Sequence, residues 1–172
     1  TDDFTLSISG GSATLGSTNP TAITKDTPTF SSATIDGNLN GAQGLQIADL
    51  DFDGDKDIIA CGKNGDDINW YENDGSGNYT ERSIDGNLNG AQGIAVNDID
   101  GDGDFDIFAT ARDGDQVALY TNNGSQSFTK TVIDSDLIEP HHVECTDLND
   151  DGHMDLIATG RVSDKIIWYS ND

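Results

Sequence analysis

IDGNLNGAQG at residues 35–44 recurs letter for letter at residues 84–93, and residues 133–142 open a third, diverged copy, IDSDLIEPHH. The period is 49 residues, the difference between Ile35 and Ile84, and the same step carries Asp49 to Asp98 to Asp147 and Tyr71 to Tyr120 to Tyr169. It also carries Asn73 to Asn122 to Asn171, and no insertion breaks the register. A unit of this length cannot bury its apolar face alone and must stack on its neighbours.

Within a unit the apolar positions alternate over short runs, which predicts strands throughout. In the second copy these are Tyr79–Ile84, Ile94–Val96, Ile107–Thr110 and Val117–Tyr120, separated by stretches rich in Gly, Asp and Asn. Four short antiparallel strands at this period make a propeller blade. The expected fold is therefore all-β, with three four-stranded blades filling residues 28–172. Residues 1–27 are rich in Ser, Thr and Gly, show one strand-like alternation at Phe4, Leu6 and Ile8, and stand outside the repeat.

Each unit carries an acidic nonapeptide: DLDFDGDKD at 49–57, DIDGDGDFD at 98–106 and DLNDDGHMD at 147–155. Side-chain oxygens at positions 1, 3, 5 and 9, a backbone carbonyl at 7 and Gly at 6 for the sharp turn can surround a hard cation that takes six to eight oxygens. Without a cation, carboxylates about 4 Å apart repel by roughly 4 kcal/mol per pair at an effective dielectric of about 20. An EF-hand would place Glu at position 12 between helices. Here position 12 is Ala60, Ala109 or Ala158, and the flanks DIIA, DIFA and DLIA read as strands. Three such loops in register point to three Ca²⁺ sites, one per repeat; Mg²⁺ keeps its waters and suits so many carboxylates less well.

The 172 residues hold 8 Lys and Arg against 32 Asp and Glu, a formal net charge of -24. Such a surface repels nucleic acid and anionic lipid. No run is apolar for long enough to span a bilayer, and Cys61 and Cys145 lie in no metal or redox spacing.

The acidic loops, each followed by an apolar strand, and INWYENDGSGNYTERSID at 68–85 resemble the VCBS and FG-GAP repeats of bacterial secreted proteins, some fungal lectins and integrin alpha chains. The resemblance covers about 28–172. It implies a β-propeller in which the acidic loop joins the two innermost strands of a blade on one face and ligands meet the other. It also implies the cation ligands: Asp49, Asp51, Asp53 and Asp57 with the carbonyl of Asp55; Asp98, Asp100, Asp102 and Asp106 with that of Asp104; and Asp147, Asn149, Asp151 and Asp155 with that of His153. Asn149 lowers the charge of the third loop. Three blades cannot close a ring, since propellers have four to eight. Reading Phe30–Ile35 as an outermost strand, the expectation is a homodimer in which that strand completes the last blade of a partner. An excised part of a longer propeller is the alternative.

Lys63, Arg112 and Arg161 share one repeat position, and Asp66, Asp115 and Asp164 follow each by three residues. Either they pair within each blade, or they contact a polar ligand on the face away from the acidic loops. His141 replaces Gln43 and Gln92 and stands beside His142; it is either a structural residue or a ligand contact. Trp70 and Trp168 are expected to pack between blades, and the thiols to stay free. No catalytic triad, zinc pattern or phosphate loop is present. The expected function is a secreted, non-enzymatic binding or adhesion module for carbohydrate or an extracellular protein. A propeller-type polysaccharide lyase or hydrolase and a purely structural or engineered scaffold are the alternatives.

Overall fold

Residues 29–172 are described by the structure, a computed structural model, so the 1–27 segment lies outside the described residues. Among the described residues all the regular structure is β. The strands are β1 (Ala42–Ala48), β2 (Asp57–Gly62), β3 (Asp67–Asn73), β4 (Tyr79–Asp85), β5 (Ala91–Asn97), β6 (Asp106–Ala111), β7 (Gln116–Asn122), β8 (Phe128–Asp134), β9 (Pro140–Thr146), β10 (Asp155–Gly160) and β11 (Lys165–Tyr169). No helix among them is long and apolar enough to cross a membrane.

The strands form three antiparallel meanders, in the orders β1-β2-β3-β4, β5-β6-β7-β8 and β9-β10-β11. Their registers repeat with the sequence: Ile58 faces Tyr71, Ile107 faces Tyr120 and Leu156 faces Tyr169. Each sheet thus begins on the innermost strand of one repeat and takes its outermost strand from the start of the next.

The inner strands of neighbouring sheets lie against one another. A Cβ on Gly44 would sit 2.8 Å from the Gln92 carbonyl oxygen, and one on Gly93 would sit 2.9 Å from that of His141. Only glycine permits this approach. Between the first two sheets, Ile59, Cys61, Ile68 and Trp70 pack with Leu88, Ile94, Ile107 and Tyr120. Between the second and third, Phe108 and Val117 pack with Leu137, Val143 and Leu156. Side chains at equivalent positions therefore fill both inter-blade layers.

Three expectations need correction. Phe30–Ile35 forms no strand: it is the counterpart of β4 and β8, but among the described residues no sheet precedes it for it to join, and the third sheet has three strands instead of four. β5 begins at Ala91, earlier than the alternation suggests, because a bulge between Ala91 and Ile94 carries the irregular pair Gln92 and Gly93 inside the strand. Trp70 is 4% exposed, whereas Trp168, on the uncovered side of the third sheet, is 48% exposed. The described residues do not close a ring.

Candidate functional site

The acidic loops join β1 to β2, β5 to β6 and β9 to β10, as the resemblance implied, and all three adopt one internal pattern. The glycine N–H at position 6 donates to the first aspartate: Gly54 to Asp49 at 3.1 Å, Gly103 to Asp98 at 3.1 Å and Gly152 to Asp147 at 2.9 Å. These glycines have φ of 101°, 96° and 94°, a region that L side chains rarely enter. Position 3 accepts from the N–H of position 5, as between Asp53 and Asp51 or Asp151 and Asn149. Position 5 accepts from that of position 7, as between Asp55 and Asp53 or His153 and Asp151. These Asx turns curl the loop so that its carboxylates converge.

Position 9 works differently. Asp57, Asp106 and Asp155 are fully buried. One carboxylate oxygen of Asp57 accepts the N–H of Leu50 and the other that of Asn73, both at 2.9 Å. Asp106 takes Ile99 and Asn122, and Asp155 takes Leu148 and Asn171. The last aspartate therefore fastens the loop to the end of the third strand of its own sheet. The recurrence of Asn73, Asn122 and Asn171 is visible in the sequence, but their role as backbone donors to these carboxylates is not.

In the first loop one oxygen each of Asp49, Asp51 and Asp57 lie within 4.8 Å of one another, and in the second those of Asp98, Asp100 and Asp106 do. Asp49 Oδ1 is buried without any hydrogen-bond partner. A buried carboxylate oxygen left bare is costly unless a cation or donor meets it, so this donor set suits a hard divalent cation. Burial, with the charges of Asp53 and Asp57 added, pushes the Asp51 carboxyl above the ordinary 3.8. Burial does the same to Asp106, against the backbone donors of Asn122 and Ile99. In the third loop Asn149 turns its amide onto Asp151 at 2.6 Å, and no corresponding carboxylate triad forms among the described residues. The β3–β4 and β7–β8 turns come down on position 7: a Cβ on Gly124 would meet Asp104 Oδ2 at 2.5 Å, and Gly75 is equally tight against Asp55.

The meander topology puts the β2–β3, β6–β7 and β10–β11 loops at the opposite end of the sheets, together with Lys63, Arg112, Arg161 and His141. The cations do pair, but not with the aspartates three residues on. Lys63 Nζ lies 3.3 Å from Asp113 of the next repeat, and Arg112 Nη2 and Arg161 Nη1 lie 3.1 and 3.0 Å from Glu139 Oε2. Asp66 and Asp115 instead accept the N–H of Gly90 at 2.7 Å and Glu139 at 2.8 Å, linking each blade to the loop entering the next. The expected pairing with those aspartates is thus replaced by pairing between blades for Lys63 and Arg112, while Arg161 pairs inside the third blade with the residue that leads into β9. Glu139 and Asp113 escaped the sequence reading because neither recurs. His141 is exposed, His142 Nε2 lies 3.1 Å from Glu144, and Gln92 Nε2 donates to Gln43 Oε1 at 2.8 Å. Cys61 and Cys145 are free thiols, pushed up to about 11 and about 12 by burial.

The sequence profile of FG-GAP-like repeats matches residues 49–109 and again 98–158, each match running from the first aspartate of one acidic loop through the whole of the next. No curated protein matches the chain. Among solved structures, selenomethionine-substituted virginiamycin B lyase from Staphylococcus aureus is similar with a TM-score of 0.46 at 16% identity. The likeness covers 78% of this chain and 43% of that one, so the chain spans less than half the length of that protein.

Proposed function

The chain belongs to the FG-GAP-like repeat family, and from that premise we propose that it is a secreted, calcium-stabilised, non-enzymatic binding module whose preferred ligand class is carbohydrate. The observation that carries the calcium reading is the convergence of Asp49, Asp51 and Asp57, and of Asp98, Asp100 and Asp106, with Asp49 Oδ1 in the first loop buried and without a partner. Asp53 and Asp102 complete the acidic side chains of those loops, with the carbonyls of Asp55 and Asp104. Asp147, Asn149, Asp151 and Asp155, with the carbonyl of His153, would hold the third ion more weakly. Bound calcium would neutralise carboxylates that otherwise repel one another, and its role is structural. Secretion fits this reading because calcium outside cells is abundant enough to fill sites of modest affinity.

The ligand reading is supported by the end of the sheets away from the acidic loops. There, amide, imidazole and guanidinium groups of Gln43, His141, His142 and Arg161 are exposed to solvent with the half-buried carboxylate of Glu139, chemistry suited to hydroxyl-rich ligands. Two experiments separate the parts of the proposal. Calorimetry should detect calcium binding that is lost with Asp49→Asn and Asp98→Asn; no heat up to millimolar calcium contradicts the metal reading. A glycan array in calcium should show binding weakened by His141→Ala; silence across the array removes carbohydrate and leaves the calcium result untouched.

A further inference from the structure

We propose that the first two acidic loops take up calcium as a coupled pair, joined by the stacked rings of Phe52 and Phe105, while the third loop fills independently. This coupling rests on the calcium reading above and regulates those same sites. Phe52 is position 4 of the first loop and stands between Asp51 and Asp53, the ligands at positions 3 and 5. Phe105 is position 8 of the second loop and stands between Asp104, which offers its carbonyl, and Asp106. The two rings stack across the boundary between the first and second blades, with centroids 5.3 Å apart and planes 20° apart. Each ring is therefore held by a backbone whose neighbours on both sides belong to a cation site, one site for each ring.

Nothing in the chemistry of the first loop asks for phenylalanine at position 4. The backbone there is left-handed in every repeat, with φ of 59° at Phe52, 77° at Gly101 and 60° at Asp150. Glycine takes this conformation freely and aspartate tolerates it, whereas a bulky ring is strained. Phe52 is also 52% exposed, so burial within its own loop does not offset that strain. What the ring gains is Phe105, which packs against the core shared by the first two sheets. The gap between the second and third loops serves as an internal control. There the equivalent residues are Gly101 and Met154, and both line an open cavity of about 460 Å³ together with Asp98, Asp100 and His153. With glycine at position 4, no ring crosses it.

Coupling follows from the charges. Without a cation the carboxylates of each loop repel one another and favour an open loop, and the rings stack only while both loops are closed. An ion in one loop holds its ring in place and so lowers the cost of closing the other. The effect is reciprocal, since linkage gives each ion the same influence on the other's affinity. A stacked aromatic pair is strong enough to change those affinities by about fivefold.

Calorimetric titration of the 172-residue chain with calcium tests this in four forms: unaltered, Asp49→Asn, Phe52→Gly, and the two substitutions together. Glycine stands at the same position of the second loop, so Phe52→Gly suits the backbone, and circular dichroism checks that the sheets persist. The heat of the second loop is identified by its loss in Asp98→Asn. Emptying the first loop with Asp49→Asn should weaken calcium binding at the second loop about fivefold more in the unaltered chain than in the Phe52→Gly chain. The change of charge at Asp49 is common to both backgrounds and cancels in that comparison. An equal effect of Asp49→Asn in the two backgrounds overturns the coupling and leaves the calcium reading intact. No calcium uptake by any of the forms removes both.

Discussion

Asp57 and Asp51 sit six residues apart in one loop and do opposite things to the metal-free fold. Both oxygens of Asp57 hold backbone N–H groups, so Asp57→Asn should destabilise the chain by about 1–3 kcal/mol even in chelator, read as a fall in urea midpoint. Asp51 is a carboxylate whose charge the fold disfavours, since burial and its neighbours raise its pKa. Asp51→Asn should therefore leave the metal-free midpoint unchanged or raise it, while abolishing calcium binding at the first loop. The same sign governs pH. For Asp51 and Asp106, whose folded pKa values lie above 3.8, the metal-free stability they allow is present in acid and is lost as pH rises through those values. Protons and calcium then compete, and the stabilisation calcium confers should shrink as pH falls toward the carboxylate range. Asn149 offers a gain-of-binding test: Asn149→Asp should restore a third acidic triad and tighten that loop about tenfold, near 1.4 kcal/mol, in a calorimetric titration.

At the scale of elements, the links between successive blades are what distinguish the stack from three separate hairpin sheets. Tyr120 OH and Lys130 Nζ both donate to Asp85, at 2.7 and 2.9 Å. Burial works to raise the Asp85 pKa, but these two donors outweigh it and hold the carboxyl below 3.8. The stability it contributes is present above that value and is lost as pH falls through the depressed pKa. Tyr120→Phe should cost about 1.5–3 kcal/mol and move the acid unfolding midpoint upward, with the Asp85 carboxyl resonance titrating closer to 3.8. Glu139 tests a balance of two effects. Its φ of 47° is the left-handed conformation that Gly41 and Gly90 occupy in the other repeats, so Glu139→Gly relieves about 1 kcal/mol of strain. It also removes the acceptor of Arg112 and Arg161, partly exposed pairs of modest worth. The net change in stability should be small, whereas Glu139→Ala, which keeps the strain and loses only those pairs, should be slightly destabilising.

For the whole molecule, the period carried most of what could be read in advance: three sheets, their strand types, and the acidic loops between the first two strands of each. What escaped the sequence depends on contacts between repeats. Phe30–Ile35 has the alternation of β4 and β8 but, among the described residues, no strand beside it, and a strand without a ladder is not a strand. Trp168 matches Trp70 by position, yet burial is decided by whether a following blade covers it. Asp113 and Glu139 recruit Lys63 and Arg112 across blade boundaries, and Glu139 also takes Arg161 of its own blade, pairings invisible to the spacing of three within one unit. The central claim is that the acidic loops are cation sites on which the stack depends. Its most direct test is a thermal melt of the metal-stripped chain against free calcium, with bound calcium counted in parallel. The account predicts saturable uptake of three ions, the last one weakest, with each filled site adding about 2.7 kcal/mol at a hundred times its dissociation constant. A melting temperature indifferent to calcium, with no ion retained, would contradict it.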